Sequence, residues 1–322
     1  MDPFTQIPLQ EIRSAQQRIS SLALRTPLVP LAVDDAPTQV FLKLENLQPI
    51  GSFKLRGAGN AMQIASPEKL ANGVFTASAG NMAQGVAWNA RRLGIPCTVV
   101  VPDHAPETKL AAVRRLGGTT IKVPFDEWWQ IILTGKYDKC KGLFIHPVSD
   151  AAVIAGNGTI GLEILEDLPD VDAVVIPYGG GGLSAGIASA IRALKPQTRI
   201  FACEVETACP LSASLAAGEP KAVTYTASFV DGIGGKSVLR EMWPLVRDLL
   251  DGSLVMPLSA VASAIRLLVE RNRVVAEGAG ATSVAAALAG KAGDGKVVCV
   301  VSGGNIDSAV LARILTGELT GA

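Results

Sequence analysis

Lys54 stands in the stretch IGSFKLRGAGN, residues 50–60, between Phe53 and Leu55 and close to glycines at 51, 57 and 59. The residues that follow read as the rest of a helix. A lysine set among apolar and small neighbours is open to desolvation, and desolvation disfavours the ammonium form. The neutral amine that results is a nucleophile and a base. A solvated surface lysine is the plain alternative, and this stretch alone does not decide between them.

Three other stretches could bind rather than react. SAGN, Ser78 to Asn81, follows the β-rich VFTAS and precedes the helical MAQGVAWNARRLG. Small residues let backbone N–H groups approach a ligand there, and a helix N-terminus favours an anion by about 0.3–1 kcal/mol. A carboxylate would suit it; an ordinary strand-to-helix turn would explain it equally. GGGG, Gly179 to Gly182, follows DAVVIPY and precedes LSAGIASAIRAL. Consecutive glycines cost roughly 0.5–1 kcal/mol each relative to alanine in regular structure, and a turn needs only one or two. Four suggest a backbone wrapped around a phosphate. SGGN, Ser302 to Asn305, again joins a strand end to a helix and could be a simple N-cap. A rival reading takes Gly180, Gly182 and Gly186, with Glu204 lying 24 residues past Gly180, as a weak dinucleotide fingerprint. It leaves Gly179, Gly181 and Lys54 unexplained.

The elements that must hold these stretches alternate. β-Rich runs are expected at 40–45, 73–78, 96–102, 119–124, 172–178, 199–205, 253–258 and 296–303, with alanine-rich helical stretches between most of them. Alternation of this kind implies an α/β fold of mostly parallel sheets flanked by helices, and near-continuous apolar strands imply cover on both faces. Residues 72–149 hold several such units of their own and are expected to form a small domain. Residues 1–71 and 150–322 would form a large, discontinuous cofactor-binding domain, leaving a cleft between the two. Ligands of open α/β sheets bind at the carboxyl ends of strands.

Composition narrows the function. The 322 residues carry 29 basic and 29 acidic side chains, with no block of like charge, so a nucleic-acid partner is not expected. No apolar run reaches the about eighteen residues of a membrane span. MDPFTQIPLQ lacks the basic start and apolar run of a signal peptide. The five cysteines, Cys97, Cys140, Cys203, Cys209 and Cys299, form no CxxC pair, as expected of a reduced cytoplasmic protein.

GSFKLRGA, SAGNMAQG, GGGGL and SGGN, in that order, resemble the threonine dehydratase and serine racemase family of pyridoxal-phosphate enzymes, whose two-domain architecture is fold type II, tryptophan-synthase-β-like. The resemblance runs from about residue 10 to residue 317. It implies that Lys54 carries pyridoxal 5'-phosphate as a Schiff base, with Phe53 against the cofactor and Asn81 on its ring hydroxyl. Gly179, Gly180, Gly181 and Gly182, with the Leu183 amide, would hold the phosphate, and Ser302 the pyridine nitrogen. Ser78, Ala79, Gly80 and Asn81 would receive the substrate carboxylate. Glu277, in EGAGA, matches a position close to the cofactor.

The implied activity is dehydration of a β-hydroxy-α-amino acid to a 2-oxo acid and ammonia. An uncharged serine at the pyridine nitrogen makes a weaker electron sink than an aspartate would, which favours rapid elimination over transamination. Relatives that racemise carry a serine where this chain has Ala79, so little racemisation is expected. Met82 stands where many relatives have histidine. A divalent or monovalent cation could bind Glu204, but Pro210 occupies the expected second acidic position. His104 is expected on a loop and His146 near the domain junction, neither catalytic. Trp128 and Trp129, in a segment shorter than in typical relatives, are expected mainly to pack the lobe, and a wider cleft could admit a bulky substrate such as phenylserine. 3-Hydroxyaspartate dehydration and racemisation are the alternatives within the family; an NAD(P) enzyme or a non-catalytic pyridoxal-phosphate-binding protein lies outside it. A homodimer is implied by the resemblance alone.

Overall fold

The structure, a computed structural model, describes residues 4–319. Residues 1–3 of the N-terminal stretch and 320–322 at the end of the expected large domain lie outside the described residues. Among those described, ten strands form two sheets. They are β1 (Leu28–Pro30), β2 (Gln39–Lys43), β3 (Val74–Ala77), β4 (Cys97–Pro102), β5 (Thr119–Val123), β6 (Leu143–Phe144), β7 (Ala173–Pro177), β8 (Arg199–Val205), β9 (Gly252–Met256) and β10 (Lys296–Val300). The six-stranded sheet runs β1-β2-β10-β7-β8-β9, and the four-stranded sheet β5-β4-β3-β6. Every pairing is parallel except β1 with β2.

Side-chain alternation explains why β7 is apolar throughout. Val174 and Ile176 enter the core on one face of the larger sheet, while Ala173 and Val175 enter the core on the other. Neighbouring β10 divides in the same way, with Val298 and Val300 on one side and Val297 and Cys299 on the other. A strand covered by helices on both faces has no side on which a polar residue is cheap. Each buried valine or isoleucine contributes about 1.5–3 kcal/mol.

The eight expected strands all occur, within two residues at each end except where 3₁₀ or loop backbone takes over. Glu45 starts a 3₁₀ turn, Glu45–Leu47, rather than ending β2, and Val301–Gly303 leaves β10 for the site. β1 and β6 were not expected. They have three and two residues, too few to show a periodic pattern.

The helix Lys54–Ile64 lies between the helices Asn81–Leu93 and Ala151–Asp167. Its approach to Ala151–Asp167 is close because a Cβ on Gly156 would lie 2.6 Å from the Arg56 carbonyl oxygen. Only glycine permits this crossing, which sets Lys54 at the carboxyl ends of strands from both sheets. Among the described residues no helix is long and apolar enough to cross a membrane.

Candidate active site

Lys54 is the first residue of its helix, and Phe53 before it is buried. The Lys54 Nζ donates to the Pro147 carbonyl oxygen at 2.7 Å and lies 5.2 Å from the centre of the Phe53 ring. The residue is half-buried, with its amine at the floor of a cavity of about 450 Å³. Burial pulls the ammonium down to about 8, against the opposing charge of Glu277. No carboxylate is within salt-bridge reach of it among the described residues, so desolvation prevails.

The three loops expected to bind ligands converge on this cavity. Gly179 to Gly182 and Leu183 form one wall. Gly181, at φ +97°, turns the chain into the helix Gly182–Leu194, whose first N–H groups have no partner within the helix. A Cβ on Gly180 would come within 2.6 Å of the Val148 side chain. The wall is therefore a bare backbone cradle at a helix N-terminus, suited to an anion. Ser78, Ala79, Gly80 and Asn81 form the wall at the end of β3, and Ser302 closes the cavity beyond β10. Met82 also reaches the lining, though it is almost wholly buried.

Polar groups at the back of the cavity are chained together. Asn81 Nδ2 donates to Glu277 Oε1 at 2.8 Å, and Asn305 Nδ2 donates to Asn81 Oδ1 at 2.8 Å. Asn81 is thus fixed in orientation by two residues far away in sequence. Burial, and then the charge of Asp231, pushes the Glu277 carboxyl up to about 7, against Asn81, Lys109 and Lys54. Burial thus brings a lysine and a glutamic acid in one cavity toward each other in titration, the lysine lowered to about 8 and the acid raised to about 7.

Several residues were not anticipated. Lys109 pairs with Asp231 at 2.5 Å across the cavity mouth, joining the helix Glu107–Arg115 to the loop 228–235. Tyr225, Asp231, Gly232, Ile233 and Gly234 also line the cavity. The run DGIGG was the only signal, and it is no more than a glycine-rich loop until folding places it here. His104, expected on a loop, is exposed but borders the cavity with Phe125 and Trp128. Trp128 both packs beside the core of the smaller sheet and lines the cavity, whereas Trp129 is turned outward. His146 is buried below the lining.

Two expectations concern groups outside the cavity. Glu204 Oε1 accepts from the Leu211 N–H, and Oε2 from the Ser212 N–H and the Ser253 hydroxyl, at 2.7–2.8 Å. The carboxylate caps the helix Pro210–Ala217, and both oxygens are engaged. With proline at position 210, these residues do not fit a divalent cation, and the described residues hold no cluster of three His, Cys, Asp or Glu able to bind one. Gly186 has a packing role in place of a dinucleotide one, since a Cβ there would lie 2.4 Å from the Ile154 carbonyl oxygen.

The cavity fits pyridoxal phosphate by its own chemistry: a desolvated primary amine, an aromatic ring beside it, an anion cradle and a hydroxyl opposite. Residues 19–303 match the family described as "Pyridoxal-phosphate dependent enzyme". The L-threonine ammonia-lyase of Thermotoga maritima is 42% identical over 318 residues, covering 97% of this chain and 79% of that protein. The processed form of threonine deaminase isoform 2 from Solanum lycopersicum superposes with a TM-score of 0.89 at 34% identity, covering 99% of this chain and 90% of that one. Maize serine racemase superposes at 0.88 with 32% identity and 98% coverage of both chains. The chain belongs to the pyridoxal-phosphate-dependent enzyme family, in the fold type II branch of threonine dehydratases and serine racemases, and is a lyase of that branch.

Proposed function

We propose that the protein dehydrates a β-hydroxy-α-amino acid, releasing a 2-oxo acid and ammonia. The observation that carries this reading is the Lys54 amine, desolvated and facing both the glycine cradle and the Ser78–Asn81 loop across one cavity. Lys54 would hold pyridoxal 5'-phosphate, with Gly179 to Gly182 and the Leu183 N–H on its phosphate, Phe53 against its ring, Asn81 on its ring hydroxyl and Ser302 at its pyridine nitrogen. The bound cofactor supplies a sink for the electron pair left at Cα.

The remaining work belongs to the chain. The N–H groups and hydroxyl of Ser78–Asn81 would bind the substrate carboxylate. Lys54, once freed, would take the proton from Cα as a neutral base. The β-hydroxyl would then leave as water, taking up one proton in place of the one lost from Cα, and hydrolysis of the released enamine would give the 2-oxo acid and ammonia. Ser302 would donate a hydrogen bond to the pyridine nitrogen without adding charge, which would keep the sink weak and favour loss of the β-group. Ala79 offers no proton to the opposite face of Cα, so elimination would far outrun racemisation.

Threonine, serine and 3-hydroxyaspartate fit this chemistry. Phe125, Trp128 and Tyr225 at the outer end of the cavity favour adding a substrate with a bulky β-substituent, such as phenylserine. The two sheets would act as two domains, residues 72–149 forming the smaller one, in a homodimer. The test is a panel of L-serine, L-threonine, both 3-hydroxyaspartate diastereomers and phenylserine, assayed for 2-oxo acid and ammonia. A yellow protein releasing both from at least one of them is the expected result. A protein that loads pyridoxal phosphate but eliminates none of them would overturn the reading.

A further inference from the structure

His146 has only 6% of its surface exposed, and its ring sits edge-on to Phe144 with centres 5.8 Å apart. Its Nδ1 accepts from two backbone groups, the Val148 N–H at 2.9 Å and the Ser149 N–H at 2.6 Å. Two donors converging on one nitrogen require a lone pair there. The ring is therefore neutral, with its proton on Nε2. An imidazolium would set a third N–H against the two. The charged groups facing it are Glu241, which accepts from the Ser149 hydroxyl at 2.8 Å, and Lys54. Burial outweighs Glu241 and, with Lys54, holds the ring at about 4.

The turn that His146 ties down touches both halves of the site. The Pro147 carbonyl oxygen accepts from Lys54 Nζ at 2.7 Å. Val148 backs the glycine cradle, its side chain filling the place a Cβ on Gly180 would take, 2.6 Å away, and its carbonyl oxygen lying 3.0 Å from a Cβ on Gly182. Asp150, next in the chain, caps the helix Ala151–Asp167 through the Ala152 and Val153 N–H groups. The turn is thus anchored at one end by a helix cap and at the other by one imidazole nitrogen.

We propose that His146 is a positioning residue for Lys54: as a neutral imidazole accepting at Nδ1, it fixes the Pro147–Ser149 turn, which orients the Lys54 amine and backs the glycine cradle. A neutral amine has two N–H bonds and one lone pair. Giving one N–H to Pro147 restricts its rotation and leaves the other N–H and the lone pair for the cavity side. The inference rests on the reading of Lys54 as the cofactor-bearing base.

The first test is nitrogen NMR of the cofactor-loaded protein labelled at histidine. The chain has two histidines, and His104→Gln assigns them. The expected result is an unprotonated, hydrogen-bonded Nδ1 and a protonated Nε2 at His146, unchanged between about pH 6 and pH 9. A protonated Nδ1, or a ring that becomes imidazolium in that range, overturns the proposal. The second test compares His146→Leu with His146→Asn, whose amide oxygen stands near the place of Nδ1. Misplacing a reacting group by about 1 Å costs about 100-fold, so Leu should lower kcat by that order with KM little changed, and Asn should recover most of it. Leu should also slow the reaction of the apoprotein with pyridoxal phosphate, and Asn restore it. A folded Leu variant with wild-type kcat per bound cofactor and wild-type loading overturns the proposal, as does an Asn variant no better than Leu. If the wild type eliminates nothing, the functional reading falls, and the NMR and loading results still decide the role of His146.

Discussion

Lys54 and Arg56 lie two residues apart on one helix and point to opposite sides of it, where their charges are treated in opposite ways. Lys54 meets the cavity, with no carboxylate in salt-bridge reach among the described residues, and burial drives it toward the neutral amine. Arg56, on the other side, is 1% exposed and forked onto two acids. Its Nε and Nη2 donate to Glu45 at 2.8 Å, and its Nη1 and Nη2 to Glu163 at 2.7 and 2.9 Å. Lys43 adds a second cation on Glu163 at 2.6 Å. Burial pushes the Glu45 carboxyl up, but the Arg56 guanidinium outweighs it and holds the acid below its usual range. The contrast teaches that burial alone does not neutralise a side chain. A buried charge is held firmly where its partners satisfy it with good geometry, and is more readily given up where they are withheld. The protein needs both outcomes within one turn of helix: a rigid base below and a reactive amine above.

Removing either member breaks the comparison in a different way. Lys54→Ala should abolish release of 2-oxo acid, a loss of about 10⁴-fold or more given the usual worth of a positioned base and nucleophile. The variant should stay folded, as shown by circular dichroism, and near-normal activity would contradict the assignment. Arg56→Met should instead unfold more easily in urea, by about 3–5 kcal/mol, because it leaves the buried Glu45 without its cation and Glu163 with Lys43 alone. Arg56→Lys should rescue little of this, since an ammonium cannot reproduce the fork.

Glu277 sharpens the comparison from the acid side. Its native carboxyl holds a proton up to about 7, whereas the unfolded chain releases it near 4.5. The stability it contributes is therefore fully present below the unfolded value and is lost as pH rises through the native one. Between those limits the apoprotein should lose roughly 3 kcal/mol relative to Glu277→Gln, followed by urea unfolding across the range. A difference that stays flat with pH would show that Glu277 is ionised throughout. The smallest effect is expected at the cradle. Gly180→Ala pushes a methyl group against Val148 and should weaken pyridoxal phosphate binding by about tenfold, measured by absorbance titration.

Legibility in the sequence followed the range of the contacts. Lys54 and the three glycine-bearing loops could be read because each is a local arrangement at the end of a strand. The long strands could be read because both faces are buried. The chain Asn305–Asn81–Glu277 could not, since its members are 224 and 196 residues apart and meet only when both sheets are in place. The Arg56 cage was hidden for the same reason, because it draws on β2, the 3₁₀ turn and the helix Ala151–Asp167. The Pro147 carbonyl gave no signal at all, as a backbone group has no residue type to betray it. The capping role of Glu204 gave no local signal either, since its partners are the Ser253 hydroxyl and the N–H groups of a helix that begins six residues later.

The measurement that tests the account most directly is borohydride reduction of the cofactor-loaded protein followed by peptide mass mapping. Reduction fixes the cofactor to whichever amine holds it. The account predicts a single pyridoxyl group on the peptide containing Lys54. A pyridoxyl group on another lysine, with Lys54 unmodified, would contradict it.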